Sequence, residues 1–201
     1  MNFWDKLMGD DEGAANYMAG YGEGVGFVTR HFVGSFINDG ERVLDVGCGP
    51  GWNYDHFKEH GPAVSYWGED YSPRFVRVAK KRQPEANFNL GDCRQLEHPV
   101  NSFDVVILQD CLEHTNGYEI PVEEALRVAR KRVIVSFWHL EGNEGTEHIN
   151  DDGDDGWGAW YDKKKWEEFL NSQPYPWMDE VLEVEGKTHK WNFYIISKDG
   201  K

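Results

Sequence analysis

Residues 43–51 read Val43-Leu44-Asp45-Val46-Gly47-Cys48-Gly49-Pro50-Gly51. Val43, Leu44 and Val46 have the character of the end of a buried strand. Gly47, Gly49 and Gly51 then make a turn almost free of side chains, and a helix is expected from Trp52. Such a turn lets a ligand come close to the backbone. Asp45 adds a carboxylate at the strand's end, which suits a ligand carrying an ammonium or sulfonium better than a phosphate. Two other glycine loops do not fit. The dinucleotide fingerprint G-x-G-x-x-G needs glycine where this chain has Trp52, and the Walker loop needs a Gly-Lys-Ser/Thr run that is missing here.

Outward from this turn, strands and helices alternate. Strands are expected at 42–47, 64–70, 87–90, 103–109 and 133–137, with helices at 52–60, 73–82 and 122–130. Pro73 suits the first turn of a helix. The uninterrupted apolar run at 103–109 suits the centre of a parallel sheet. The alternation calls for an α/β fold with helices on both faces. Residues 1–40 read as a helix, a glycine-rich hinge and a second helix over 26–38, because glycines at 20, 22, 24 and 26 within one helix would cost roughly 1 kcal/mol each. Residues 139–161 break the pattern and read as a long acidic loop that includes Asp151-Asp152-Gly153-Asp154-Asp155. A loop of that length in a compact domain is usually functional or mobile. A helix at 163–171 and a hairpin (177–185 and 190–197, turning at Gly186-Lys187) close the chain.

The 201 residues suit one domain with a real core. No stretch approaches the roughly 20 apolar residues that span a bilayer, so no membrane insertion is expected. Met1-Asn2-Phe3-Trp4-Asp5-Lys6 lacks the basic and apolar regions of a secretory signal, which makes a cytoplasmic location the expectation. Cys48, Cys93 and Cys111 show no C-x-x-C spacing and read as reduced structural thiols. A net charge of −15 argues against broad nucleic-acid binding. The clusters Lys80-Lys81-Arg82 and Arg130-Lys131-Arg132 are both expected at helix C-termini, where the dipole favours them. Nothing in the sequence marks an oligomer interface.

The run Asp45-x-Gly47-x-Gly49-x-Gly51 after a strand resembles the first motif of class I S-adenosylmethionine (SAM)-dependent methyltransferases. Gly68-Glu69-Asp70-Tyr71-Ser72-Pro73 resembles the second motif and Gly91-Asp92-Cys93 the third. Residues 101–106 resemble the run into the family's fourth strand. Residues 122–135 resemble its next helix and strand without the usual Pro-Gly-Gly turn, so that connection should be tighter. The resemblance implies a Rossmann-like, doubly wound, mostly parallel seven-stranded sheet with an antiparallel last strand. It implies one domain over 1–201: a helical cap (1–40), a SAM-binding core (41–138), a substrate-side loop (139–161), and a helix with a hairpin (162–201). It carries cofactor roles to Asp45, Gly47, Cys48 and Gly49. Asp70 takes the ribose diol, with Tyr71 beside it and Glu69 as the competing carboxylate. Asp92 takes the adenine amino group and the Cys93 N–H a ring nitrogen. Gln109 lies where the methionine moiety is met, and Tyr21 joins from the cap.

Asp110-Cys111-Leu112-Glu113-His114 is similar to the Glu-x-x-Glu-His metal motif of quinone-pathway and small-RNA 3′-end O-methyltransferases, with a shorter Asp110 in place of the first Glu. Two readings stay open. Asp110 and His114 act directly, His114 as a general base. Alternatively a divalent ion sits on Asp110, Glu113, His114 and His148; this is the less favoured reading, because Leu-Glu-His also occurs here in metal-free members. Tyr17, Trp138, His139 and Trp157, with Trp160 and Tyr161, are expected to wall the acceptor site. Aromatic walls with carboxylates suit a flat or cationic small molecule. The expected activity is methyl transfer from SAM to a small-molecule acceptor, achieved mainly by positioning. A methyltransferase acting on protein or RNA, and a SAM-binding partner without activity, are the alternatives.

Overall fold

Leu44, Val46, Val106, Leu108, Val133 and Val135 pack into one hydrophobic cluster, and Val43, Val105, Ile107 and Ile134 into another. Alternate residues of the same strands thus enter opposite cores, which is the pattern of a sheet buried on both faces. The computed structural model describes residues 11, 13, 25–138, 140–141, 145–148, 157–183 and 190–200, with the backbone alone at 25, 141, 145–148 and 157.

The strands are β1 (Arg42–Val46), β2 (Ser65–Asp70), β3 (Asn87–Leu90), β4 (Phe103–Gln109), β5 (Ala129–Phe137), β6 (Leu140–Glu141), β7 (Gly145–His148), β8 (Trp157–Asp162), β9 (Trp177–Glu183) and β10 (Lys190–Ser197). Seven of them form one sheet in the order β3-β2-β1-β4-β5-β10-β9. The first five pair in parallel, and β10 runs antiparallel to both β5 and β9. This is the Rossmann-like arrangement that the motifs implied.

Among the described residues, five helices cover the sheet: α1 (Val25–Gly34), α2 (Trp52–His60), α3 (Pro73–Arg82), α4 (Glu119–Val128) and α5 (Lys163–Ser172). Val33, Phe57, Val76 and Ala79 of α1–α3 pack on one face. Val122, Ala125, Trp166 and Leu170 of α4 and α5 pack on the other. Local signals place the helix starts. Ser72 Oγ accepts from Phe75 N at 3.3 Å with Pro73 in the first turn of α3. Asp162 Oδ1 accepts from Lys165 N at 3.0 Å to begin α5. Both are side-chain caps of backbone donors that the helix leaves unpaired.

The structure corrects the sequence reading in two places. First, α4 ends at Val128 and β5 begins at Ala129, with no residue between them. The tight connection was expected, but Arg130, Lys131 and Arg132 consequently lie on a strand rather than at a helix C-terminus. Specific carboxylates hold them there. Arg130 pairs with Asp104, Lys131 Nζ lies 2.9 Å and Arg132 Nη2 3.0 Å from Glu41 Oε1. Burial pushes the Glu41 carboxyl up, but the Asn38 N–H, Lys131 and Arg132 together hold it below its usual value. Second, the expected loop at 139–161 contains a three-stranded sheet in the order β6-β8-β7. The acidic run 151–155 within it lies outside the described residues. So do nearly all of the first helix and hinge expected in residues 1–24, and the hairpin turn at Gly186-Lys187. Among the described residues, no helix is long and apolar enough to cross a membrane.

Candidate functional site

Because β1 to β5 run in one direction, their carboxyl ends line one edge, and the strand order turns between β1 and β4. Doubly wound sheets bind ligands there. The glycine turn occupies this position. Gly47, Gly49 and Gly51 have φ of 75°, 54° and 88°, a left-handed region that costs other residues roughly 1–2 kcal/mol each. A Cβ on Gly47 would lie 2.8 Å from Cys111 Sγ, so the turn is pressed against the end of β4.

The end of β2 fastens the turn. Gly47 N and Cys48 N both donate to the Glu69 carbonyl, at 2.8 and 3.0 Å. Asp70 Oδ2 accepts from Gly49 N and Oδ1 from Ser72 N, each at 2.8 Å. Both oxygens of the Asp70 carboxylate thus meet backbone N–H groups around the turn. Its competitor points elsewhere. Glu69 Oε1 meets His98 Nε2 at 2.7 Å, and its other oxygen lies against Gly91. Of the two carboxylates, Asp70 is the one joined to the glycine turn.

Asp45 is 1% exposed, and its carboxylate accepts from Tyr66 Oη and from Asn53 Nδ2 at 3.1 Å. Burial pushes its pKa up to about 6, against the pull of those two hydrogen bonds. Asp45 is thus tied to β2 through Tyr66 and to α2 through Asn53. Asp92, at the end of β3, has both oxygens on Arg94: Nη2 at 2.8 Å and Nε at 3.0 and 3.2 Å. An adenine amino group would share that carboxylate. Tyr71 is 48% exposed beside Asp70, and Cys93 is half-buried.

At the end of β4, Gln109 Nε2 donates to Thr29 Oγ1 of α1 at 3.2 Å, while its Oε1 is buried without a hydrogen-bond partner. Asp110 takes φ of 50°. Its N–H donates to Ser136 Oγ, whose hydroxyl donates to Asp110 Oδ1 at 2.7 Å, and Trp191 Nε1 donates to Oδ2 at 3.3 Å. Burial pushes the Asp110 carboxyl up. A short 3₁₀ turn, Leu112–His114, follows. Glu113 is fully buried and accepts from Trp138 N at 2.8 Å. Asp110 and Glu113 thus have separate partners. Among the described residues no group of three or more His, Cys, Asp or Glu side chains could hold an ion, which corrects the Asp110–Glu113–His114 part of the metal set.

Trp138 is 38% exposed past β5. Tyr161 is not a wall. It is buried, and its hydroxyl meets the carbonyls of Leu112 and Thr115 at 2.9 and 3.0 Å. Tyr17, Tyr21 and His139 lie outside the described residues, and of His148 and Trp157 only the backbone is described.

Four contributors were missed by the sequence reading: Tyr66, Asn53, Thr29 and Arg30. Arg30, on α1, is 6% exposed and faces the charges of Asp110, Asp55 and Asp45. Burial lowers its pKa to about 10, against those three attractions. A lone Arg among the apolar residues of α1 was the available signal.

Residues 43–132 match the methyltransferase domain family. The chain is 34% identical over 103 residues to a demethylmenaquinone methyltransferase of Renibacterium salmoninarum, covering 50% of this chain and 43% of that protein. The chain thus spans less than half the length of that curated relative. Among solved structures, phosphoethanolamine N-methyltransferase 2 of Haemonchus contortus, in complex with phosphomonomethylethanolamine and S-adenosylhomocysteine, superposes with a TM-score of 0.76 at 16% identity, over 98% of this chain and 59% of that one. A Haloferax volcanii protein solved in complex with the Trm112 methyltransferase activator superposes with a TM-score of 0.72 at 14% identity, over 98% of both chains.

Proposed function

From the match of residues 43–132 to the methyltransferase domain family and the Rossmann-like sheet around the glycine turn, we propose that this chain transfers a methyl group from SAM to a small-molecule acceptor. The observation that carries the reading is the glycine turn, held open by left-handed glycines and bonded to the Asp70 carboxylate. The residues fit the donor. Asp70 presents a carboxylate at the end of β2, joined to the glycine turn, of the kind that accepts from a ribose diol. The buried Gln109 Oε1 lacks a donor, and an ammonium group supplies one. The Gly47 turn leaves its backbone open to close approach.

When bound, SAM supplies an activated methyl on sulfonium sulfur. The chain's part is then to hold the acceptor in line with it, which can account for most of the acceleration. A base is needed only for an acceptor that arrives protonated. His114 and Asp110 are the candidates, with Trp138 and the β6–β8 side as the acceptor wall. A small molecule is preferred because the named relatives act on small molecules and the charge of −15 opposes RNA.

Titration calorimetry with S-adenosylhomocysteine tests the donor site. Asp70→Ala, which removes the acceptor of Gly49 N and the proposed ribose contact, is expected to weaken binding at least about 100-fold, close to 3 kcal/mol. Unchanged affinity would remove Asp70 from the site. Methyl transfer from labelled SAM to fractionated extract then tests the activity. Label in no fraction would leave a cofactor-binding protein without transfer. Label in protein or RNA would favour a second reading, a macromolecular methyltransferase working with a partner. The full-length likeness to the Haloferax protein bound to an activator supports that second reading.

A further inference from the structure

Gly26, Thr29 and Gln109 are joined by hydrogen bonds whose direction is fixed at one end. In a helix a threonine hydroxyl can bond the carbonyl three or four residues back. On α1, Thr29 Oγ1 donates in this way to the Gly26 carbonyl at 3.2 Å. A carbonyl only accepts, so the single hydroxyl proton of Thr29 is committed there. Gln109 Nε2 lies 3.2 Å from the same Oγ1. With its proton committed, Oγ1 can only accept from Gln109, and the amide must turn its NH2 toward α1. The amide oxygen is the end left over. Gln109 Oε1 is buried and has no hydrogen-bond partner among the described residues. Thr29 is 2% exposed, so water does not compete for its hydroxyl.

We propose that Thr29 is a positioning residue for the methyl donor: it holds the Gln109 amide with its oxygen toward the ligand, and so selects a ligand that presents an ammonium. This rests on the cofactor reading above. The two ends of a glutamine amide have nearly the same shape and opposite hydrogen-bonding character. A reversed amide would present N–H groups, which suit the donor's carboxylate instead. Gln109 alone does not decide between them; the Thr29 hydroxyl does. A buried acceptor without a donor is costly, and a ligand ammonium removes that cost through a charge-assisted hydrogen bond. Thr29 acts through Gln109.

Gln109 ends β4 and Asp70 ends β2, with β1 between the two strands. In the cofactor reading the sugar meets Asp70 and the amino-acid end meets Gln109, so separate strands hold the two ends of one extended ligand. Thr29 is joined to the second strand alone. A ligand cut short before its amino-acid end therefore bypasses Thr29.

The test uses the full chain and two ligands, S-adenosylhomocysteine and 5′-methylthioadenosine, which keeps the adenosine and lacks the amino-acid end. Thr29→Val keeps the shape and removes the hydroxyl. In calorimetry it is expected to weaken S-adenosylhomocysteine about tenfold and to leave 5′-methylthioadenosine within about twofold. Thr29→Ser is expected to restore the lost affinity. Equal loss of both ligands would make Thr29 a packing residue and overturn the proposal, as would no loss at all or no rescue by serine. The unmodified chain supplies a measurement that does not depend on how a variant folds. The desamino analogue of S-adenosylhomocysteine, which keeps the carboxylate, is expected to bind it about tenfold more weakly than S-adenosylhomocysteine does. Equal affinity overturns the proposal and leaves the cofactor reading standing. An unmodified chain that binds none of the three ligands overturns the cofactor reading itself, and the proposal with it.

Discussion

Asp45 shows how one residue can be legible in position while its surroundings are not. Its place at the end of a strand, before the glycine turn, follows from its neighbours. Its environment does not, because Tyr66 comes from another strand, 21 residues on. Buried and hydrogen-bonded, its carboxyl has a pKa of about 6 against 3.8 in an exposed chain. The folded state therefore binds this proton more tightly than the unfolded state does. Between about pH 4 and pH 6 the native protein carries the extra proton, so stability falls as pH rises through that window and then levels off. The difference amounts to about 3 kcal/mol. Asp45→Asn keeps the shape and removes the charge. It is expected to be more stable than the parent by up to about 3 kcal/mol at about pH 8, with the advantage vanishing below about pH 4. Urea midpoints across this range, at constant slope, check it. A difference independent of pH would mean that hydrogen-bond geometry, and not buried charge, sets the cost.

At the scale of elements, most of the fold was readable and the exceptions have physical causes. β4 and the second half of β5 announce themselves as apolar runs that need no distant partner to be recognised. The start of β5 does not, since Arg130-Lys131-Arg132 resembles a helix end until Asp104 and Glu41 are known to wait across the sheet. β7 and β8 were hidden by glycines and acidic residues that usually mark loops. In the site, the glycine turn and Asp70 were legible because their chemistry is local. Thr29 and Arg30 were not, because α1 reaches β4 only through the folded chain. The small sheet has a testable job. Tyr161 of β8 bonds the carbonyls of Leu112 and Thr115, and so braces the 3₁₀ turn that carries Glu113 and His114. Burial raises its pKa to about 12, so the hydroxyl remains a donor at any ordinary pH. Tyr161→Phe is expected to cost about 1–3 kcal/mol, because two carbonyls lose their shared donor. If the turn positions the acceptor, kcat should fall while affinity for S-adenosylhomocysteine holds. Loss of both together would assign Tyr161 to global stability only.

For the whole molecule the dominant quantity is the charge of −15. Like charges repel more in the compact state than in the expanded chain, so a large net charge destabilises folding. The ion pairs work in the opposite sense. Glu41, 3% exposed, with Lys131 and Arg132, is buried enough to escape most screening, whereas Lys58–Glu85 and Lys164–Glu168 are exposed. Exposed pairs contribute about 0–1 kcal/mol and lose it in salt. Screening by sodium chloride shortens the Debye length from about 10 Å at 0.1 M to about 3 Å at 1 M. That removes the diffuse repulsion and leaves the buried Glu41 cluster almost intact. The melting temperature, followed by tryptophan fluorescence, is therefore expected to rise with sodium chloride over this range. Sodium chloride is preferred to sulfate, whose exclusion from the surface would stabilise any fold. A melting temperature that falls instead would show that the exposed pairs outweigh the repulsion. The acidic surface would then be held together by its own counter-charges, and the argument against a polyanionic partner would have to rest on the site alone.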